Sequence, residues 1–331
     1  MFTILTLAAG LALILGSCVV FTNAVEALGK QHRLGHGAVG SILAAVGTAL
    51  PETVIPILAL LFSRDEHASD VGIGAIAGAP FMLGTLGFAV TGAAVYAYAS
   101  RGCRKFAMHA DVRVFERDLS FFLVAYGLAV SCTFIPVQGV RVAAALALLG
   151  IYAYYIKVTL STGKGDPAGV EPLYLLRVWD PGRIGPGLQS VIAVAGILAG
   201  ARLFIDGVIG ASAIAGISPL ILSIIITPIA TELPEKFNSV IWIGKKKDTL
   251  ALGNITGAMV FQSCFPVAFG LVFSPWNLTG TTMVSAILAL LSGAVNLVWI
   301  KRTGRVDARV LLACAALYLV LFAYMGVVGV L

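Results

Sequence analysis

Ten apolar stretches, each about the length of a bilayer crossing, leave this chain few ways to fold. A helix needs about 20 predominantly apolar residues to span the hydrocarbon core. Residues 2–24, 36–62, 70–99, 119–135, 137–158, 188–210, 217–243, 249–273, 281–300 and 308–331 meet that requirement or fall only a few residues short. Lipid offers no partner to a backbone N–H or C=O, so such stretches must satisfy their own hydrogen bonds. They predict an all-α polytopic membrane protein with ten transmembrane helices. Composition agrees, since 11% of the 331 residues are charged against about 25% in a soluble domain. The first stretch lacks a basic leader and a small-x-small cleavage site, and reads as a spanning helix and not a signal peptide.

The charges between the stretches set the topology. Eighteen of the 22 basic residues lie in odd-numbered loops, among them Lys30, Arg33, Arg101, Arg104, Lys105, Arg113, Arg117, Lys245, Lys246, Lys247, Lys301 and Arg302. Even-numbered loops and their flanks hold only Arg64, Arg141 and Arg202. The positive-inside rule then puts the odd loops in the cytoplasm and both termini outside. The net charge of +6 is thereby explained by loops at a membrane surface, and no nucleic-acid partner is expected. The five cysteines form no C-x-x-C pair, so neither a disulfide framework nor a zinc site is expected. His67 and His109 read as solvated loop residues, and Tyr152, Tyr154 and Tyr155 as an interfacial belt.

Two of the stretches carry the same unusual interruption. Gly47-Thr48-Ala49-Leu50-Pro51-Glu52 sits in the second, and Ala230-Thr231-Glu232-Leu233-Pro234-Glu235 in the seventh. A carboxylate in lipid costs a few kcal/mol or more and normally faces a cavity or a partner. A proline there frees a carbonyl that hydrocarbon cannot satisfy. Matched interruptions in two halves of a membrane protein point to a substrate site at the bilayer midplane. Since five spans separate the motifs, they run in opposite directions across the membrane. This predicts two inverted five-helix repeats, 1–160 and 188–331, joined by a cytoplasmic Gly/Pro-rich linker at 161–187. The repeat continues past the carboxylates: Gly74 aligns with Gly253 and Gly78 with Gly257, small residues spaced for close helix packing.

The chemistry of the motif is that of hard oxygen ligands. Each proline opens the carbonyl four residues earlier, Gly47 or Ala230, and the neighbouring Thr48 and Thr231 carbonyls can open with it. Calcium takes six to eight such oxygens in flexible arrangements. Glu52 and Glu235 meeting near a pseudo-two-fold axis would present two negative charges to one divalent ion, with the Thr48 and Thr231 hydroxyls available for smaller sodium sites. Glu232 adds a third carboxylate to this ion-binding set. Lys236, four residues on, is spaced to pair with it.

These motifs resemble the two alpha repeats of the calcium/cation antiporter superfamily, over roughly residues 39–90 and 217–270. The resemblance implies that Glu52, Glu235, Thr48 and Thr231 hold the transported ion, and that transport proceeds by alternating access without ATP. Where the family often continues Gly-Ser-Asn-x-x-Asn, this chain reads Gly78-Ala79-Pro80-Phe81-Met82-Leu83 and Gly257-Ala258-Met259-Val260-Phe261-Gln262, leaving Gln262, Asn254 and Thr256 as possible supporting ligands. The expected function is antiport of a divalent cation, calcium first, against sodium or protons, in the plasma membrane of a prokaryote. A cation channel, or a sodium/proton-type exchanger that does not carry calcium, is the alternative. No enzyme is expected, because the spans pair no Ser with His and carry no Asp-rich diphosphate motif. The expected partners are the lipid bilayer and the transported cations, with no cofactor.

Overall fold

A computed structural model describes residues 2–31, 50–62, 67–162, 172–175 and 184–329, and the regular structure among them is helical throughout. In order the helices are α1 (Phe2–Gln31), α2 (Leu50–Leu61), α3 (Ala68–Ser100), α4 (Val112–Ser131), α5 (Gln138–Thr162), α6 (Gly185–Ala215), α7 (Pro219–Thr231), α8 (Leu233–Gly244), α9 (Asp248–Phe273), α10 (Gly280–Thr303) and α11 (Ala308–Val327). Eight of these are long and apolar enough to cross a membrane, and α2 and α7 contain the shorter apolar helices Glu52–Leu61 and Pro219–Ile229.

Of the two interrupted stretches, the second departs from the single helix read in the sequence. Of 36–62, the described part is α2, and 36–49 lies outside the described residues. The stretch 217–243 is two helices, because Pro234 has no N–H to donate to the Ala230 carbonyl. The chain turns out of the helix at Glu232 (φ −91°, ψ 6°) and re-enters it at Leu233. Helices α2 and α8 are therefore twins in sequence terms. Each is 12 residues long and opens on the leucine of Leu-Pro-Glu.

Polar caps move other boundaries. The stretch read as 119–135 begins at Val112, where the Asp111 carboxylate accepts the Arg113 N–H at 2.9 Å. Arg117, read as a loop residue, is consequently inside α4. Of the three tyrosines read as an interfacial belt, only Tyr154 is exposed. Tyr155 is buried against Phe121, and Tyr152 packs edge-on to Phe261.

Helix α3 contains a π turn, Leu83–Gly87, in which the Phe88 N–H reaches back five residues to the Leu83 carbonyl. The Gly84 carbonyl accepts from the Ser292 hydroxyl of α10, and Thr85 Oγ1 donates to the Phe81 carbonyl at 2.6 Å. Pro80 lies just upstream, where its missing N–H already loosens the helical ladder.

Glycines decide which helices touch closely. Helices α1 and α6 run antiparallel, Gly10 against Gly200 and Leu7 against Gly207, and a Cβ on Gly10 would stand 2.6 Å from the Phe204 nitrogen. At one end of this pair Asn23 and Gln189 are buried and bonded to each other at 2.8 Å. They also hold the 172–175 segment, through Tyr174 N–H to Asn23 Oδ1 and Leu175 N–H to Gln189 Oε1. Helices α3 and α7 approach at Gly74, where a Cβ would lie 2.5 Å from the Leu220 carbonyl oxygen. Around Gly253 and Gly257, by contrast, the nearest described atoms lie 3.9 and 3.4 Å from a Cβ, so the second pair of glycines is not a tight contact among the described residues.

The connections sort by end. At one end the 101–111 loop is clasped to the α8–α9 turn by Arg104 and Asp248, and Lys301 stands 3.9 Å from Glu116. At the other, Gln138 Nε2 donates to the Val272 carbonyl, Arg141 donates to the Ser274 and Pro275 carbonyls, and the Trp276 indole donates to the Ala129 carbonyl at 2.8 Å.

Candidate ion-binding site

The candidate site lies where α7 gives way to α8. Along α7 a hydroxyl recurs every fourth residue, at Ser223, Thr227 and Thr231, and all three are buried. Ser223 Oγ donates to the Val71 carbonyl of α3 at 2.7 Å and lies 3.0 Å from Thr227 Oγ1. Thr231 Oγ1 donates to the Thr227 carbonyl at 2.9 Å. Their protons are thus committed to the protein, while each oxygen keeps lone pairs that can face a cation.

At the break itself Glu232 is 0% exposed and Lys236 7%. Lys236 Nζ donates to Glu232 Oε2 at 2.9 Å, the pairing expected from their four-residue spacing. Gln262 of α9 donates through Nε2 to Glu232 Oε1 at 3.4 Å. Its own Oε1 is buried with no hydrogen-bond partner among the described residues. A four-apart pair on an exposed helix contributes about 0.2–0.5 kcal/mol. For a buried pair the larger quantity is the loss when one partner is removed, roughly 3–5 kcal/mol, because the other charge is stranded.

Glu52 is the third residue of α2, in its first turn, and 5% exposed. A carboxylate there lies in the favourable field of the helix N-terminus. Helix α2 packs on α3, α6 and α9, so Glu52 is carried on an element that touches both the Gly74 helix and the Gln262 helix. Glu235 is on α8 with its side chain outside the described residues, and Thr48 lies outside them altogether.

The supporting residues read from the sequence divide. Gln262 joins Glu232 and Lys236. Asn254, about two turns before Gln262 on α9, directs Nδ2 to Ser239 Oγ at 3.5 Å. Thr256 belongs to another cluster, with Oγ1 2.7 Å from Asp118 Oδ2. That cluster escaped sequence reasoning. Asp118 is buried in α4, Arg117 Nη2 donates to its Oδ1 at 2.8 Å, and the same guanidinium lies 5.4 Å above the Tyr155 ring. The available signal was Phe115, Leu119 and Phe122, whose three- and four-residue spacing puts Asp118 on the inward face of a helix that had already begun.

A family model for the sodium/calcium exchanger protein matches residues 2–160 and 187–324. The chain is 25% identical over 317 residues to a protein of Alkalimonas amylolytica named a candidate antiporter, CaxA, covering 92% of this chain and 93% of that one. It is 22% identical over 281 residues to an uncharacterized membrane protein of Methanocaldococcus jannaschii, covering 82% of each. The crystal structure of the H+/Ca2+ exchanger CAX superposes with a TM-score of 0.76 at 14% identity, over 98% of this chain and 86% of that one. A structure of the sodium-calcium exchanger NCX_Mj does so with a TM-score of 0.58 at 19% identity, over 97% of each. At such identities the structural likeness establishes the fold, an all-helical exchanger fold.

Proposed function

Because the chain belongs to the sodium/calcium exchanger protein family, we propose that it is a secondary active antiporter that moves a divalent cation, calcium, against sodium or protons by alternating access. The observation that carries this reading is the pair of 12-residue helices opening on Leu-Pro-Glu, one bearing the buried Glu52 and the other entered through the buried Glu232–Lys236 pair. Glu52 and Glu235 supply the two negative charges that match one divalent ion, and the Thr48 and Thr231 oxygens complete its shell. Glu232 and Lys236 cancel each other and leave that charge balance intact. No cofactor enters the cycle, and the partners are the bilayer and the transported cations.

Ten spans in two inverted repeats, 1–160 and 188–331 with the 161–187 linker between them, accommodate all of this in a prokaryotic plasma membrane with both termini outside. The parity of the loops supports the arrangement. The loops around Arg104, Lys246 and Lys301 share one end, and those around Val137 and Trp276 the other. The test is calcium flux in proteoliposomes with one counter-ion gradient varied at a time. Flux that follows an opposing sodium or proton gradient is the expected result. Passive calcium conduction indifferent to both gradients would replace the antiporter with a channel.

A further inference from the structure

The two motif helices align leucine for leucine, and the alignment isolates one difference in charged residues. Ala49 and Thr53 of the first motif stand where the second has Glu232 and Lys236. The second half has thus gained a carboxylate and an ammonium together, with no change in net charge. Both are buried, and they are joined at 2.9 Å. Gln262 fixes the other carboxylate oxygen at 3.4 Å and leaves its own Oε1 buried and unpartnered among the described residues.

We propose that the Lys236 ammonium is a resident monovalent cation of the transport region, seated beside Glu232 in the place a sodium ion would take, so that exchange by this protein is independent of sodium. The inference rests on the antiporter reading above and narrows its counter-ion. A buried carboxylate stays ionised only beside a compensating charge. A cation tethered on the same helix, one turn away, competes at an effective concentration that a freely diffusing ion does not reach. Without the ammonium, Glu232 Oε2 loses its donor, and a carboxylate oxygen is the ligand chemistry of a hard cation. Sodium is then the mobile ion suited to that position.

The experiment is calcium uptake into proteoliposomes, with and without sodium, by the parent chain, Lys236→Met, Lys236→Arg and the double variant Glu232→Gln/Lys236→Met. The parent is expected to transport calcium equally well in either condition. Lys236→Met should become dependent on sodium by roughly tenfold, since sodium now neutralises a stranded buried charge. Lys236→Arg, which keeps a cation, and the double variant, which removes both charges, should stay indifferent to sodium. A parent flux that requires sodium overturns the proposal while leaving the antiporter reading intact, and does so even if Lys236→Met fails to fold. A folded Lys236→Met that ignores sodium overturns it equally. Absence of calcium flux from the parent under every gradient defeats the antiporter reading itself.

Discussion

Removing the Arg104 guanidinium should loosen one end of the bundle by an amount the structure allows to be worked out. Arg104 and Asp248 side chains are 3% and 1% exposed. Nη1 and Nη2 each donate to one carboxylate oxygen at 2.7 Å. The same guanidinium donates to the Ile243, Ala107 and Lys105 carbonyls at 3.0, 3.2 and 3.2 Å, while the His109 N–H donates to Asp248 Oδ2 at 2.8 Å. Arg104→Ala therefore strands a buried carboxylate with one backbone donor and frees three carbonyls. Breaking a buried pair in this way costs roughly 3–5 kcal/mol, and the clasp's place at the end of the bundle, where water can enter, favours the lower figure of about 3. At about 2–4 °C per kcal/mol for sizeable domains, the midpoint for loss of the monodisperse detergent-solubilised protein should fall by roughly 6–12 °C. Arg104→Lys keeps the charge but not the two-pronged geometry and should fall in between. In Arg104→Ala/Asp248→Ala no charge is stranded, so its loss should be smaller than the sum of the single losses by about 1–3 kcal/mol. A midpoint within about 1 °C of the parent for Arg104→Ala, or strict additivity in the cycle, would refute the clasp as described.

Glu52→Gln should abolish calcium transport while leaving expression and monodispersity unchanged, as read by flux and gel filtration, and full activity in that variant would remove Glu52 from the site. Cys103 is the single exposed cysteine, the other four being buried. A membrane-impermeant maleimide should therefore label inverted vesicles and not intact cells, and labelling of intact cells would reverse the orientation. Gly74→Val should be strongly destabilising, because its Cβ would meet the Leu220 carbonyl oxygen at 2.5 Å, whereas Gly253→Ala meets no described atom closer than 3.9 Å and should be close to neutral in the same thermal assay.

The fold was largely readable because its dominant constraint, apolar length, is written in composition. What was misread is where a helix starts among polar residues. Val112 to Asp118 carries Arg113, Glu116, Arg117 and Asp118, and averaging their charge hides the fact that Asp111 caps a helix whose inward face is Phe115, Asp118 and Leu119. In the candidate site the helix break before Pro234 and the Glu232–Lys236 pair were legible, since a proline and a four-residue charge spacing have direct geometric meanings. The contact of Thr256 was not. Its partner Asp118 is 138 residues away on another helix, and no local spacing encodes that contact.

The π turn at Leu83–Gly87 bears on how this helix tolerates changes in length. Losing one residue from an ordinary membrane helix rotates everything beyond it by about 100° and turns a packed face toward lipid. Helix α3 already holds one residue too many for a regular α-helix. Its two faces, Gly74 against α7 and Gly92 against Ala308 of α11, have matched their partners with that surplus in place. Deleting Gly84 would restore regular α-helical bonding and leave both faces where they are, at the expense of the Ser292 hydrogen bond. Of the positions along this helix, the π turn is thus the one that can lose a residue without turning either packed face away from its neighbour.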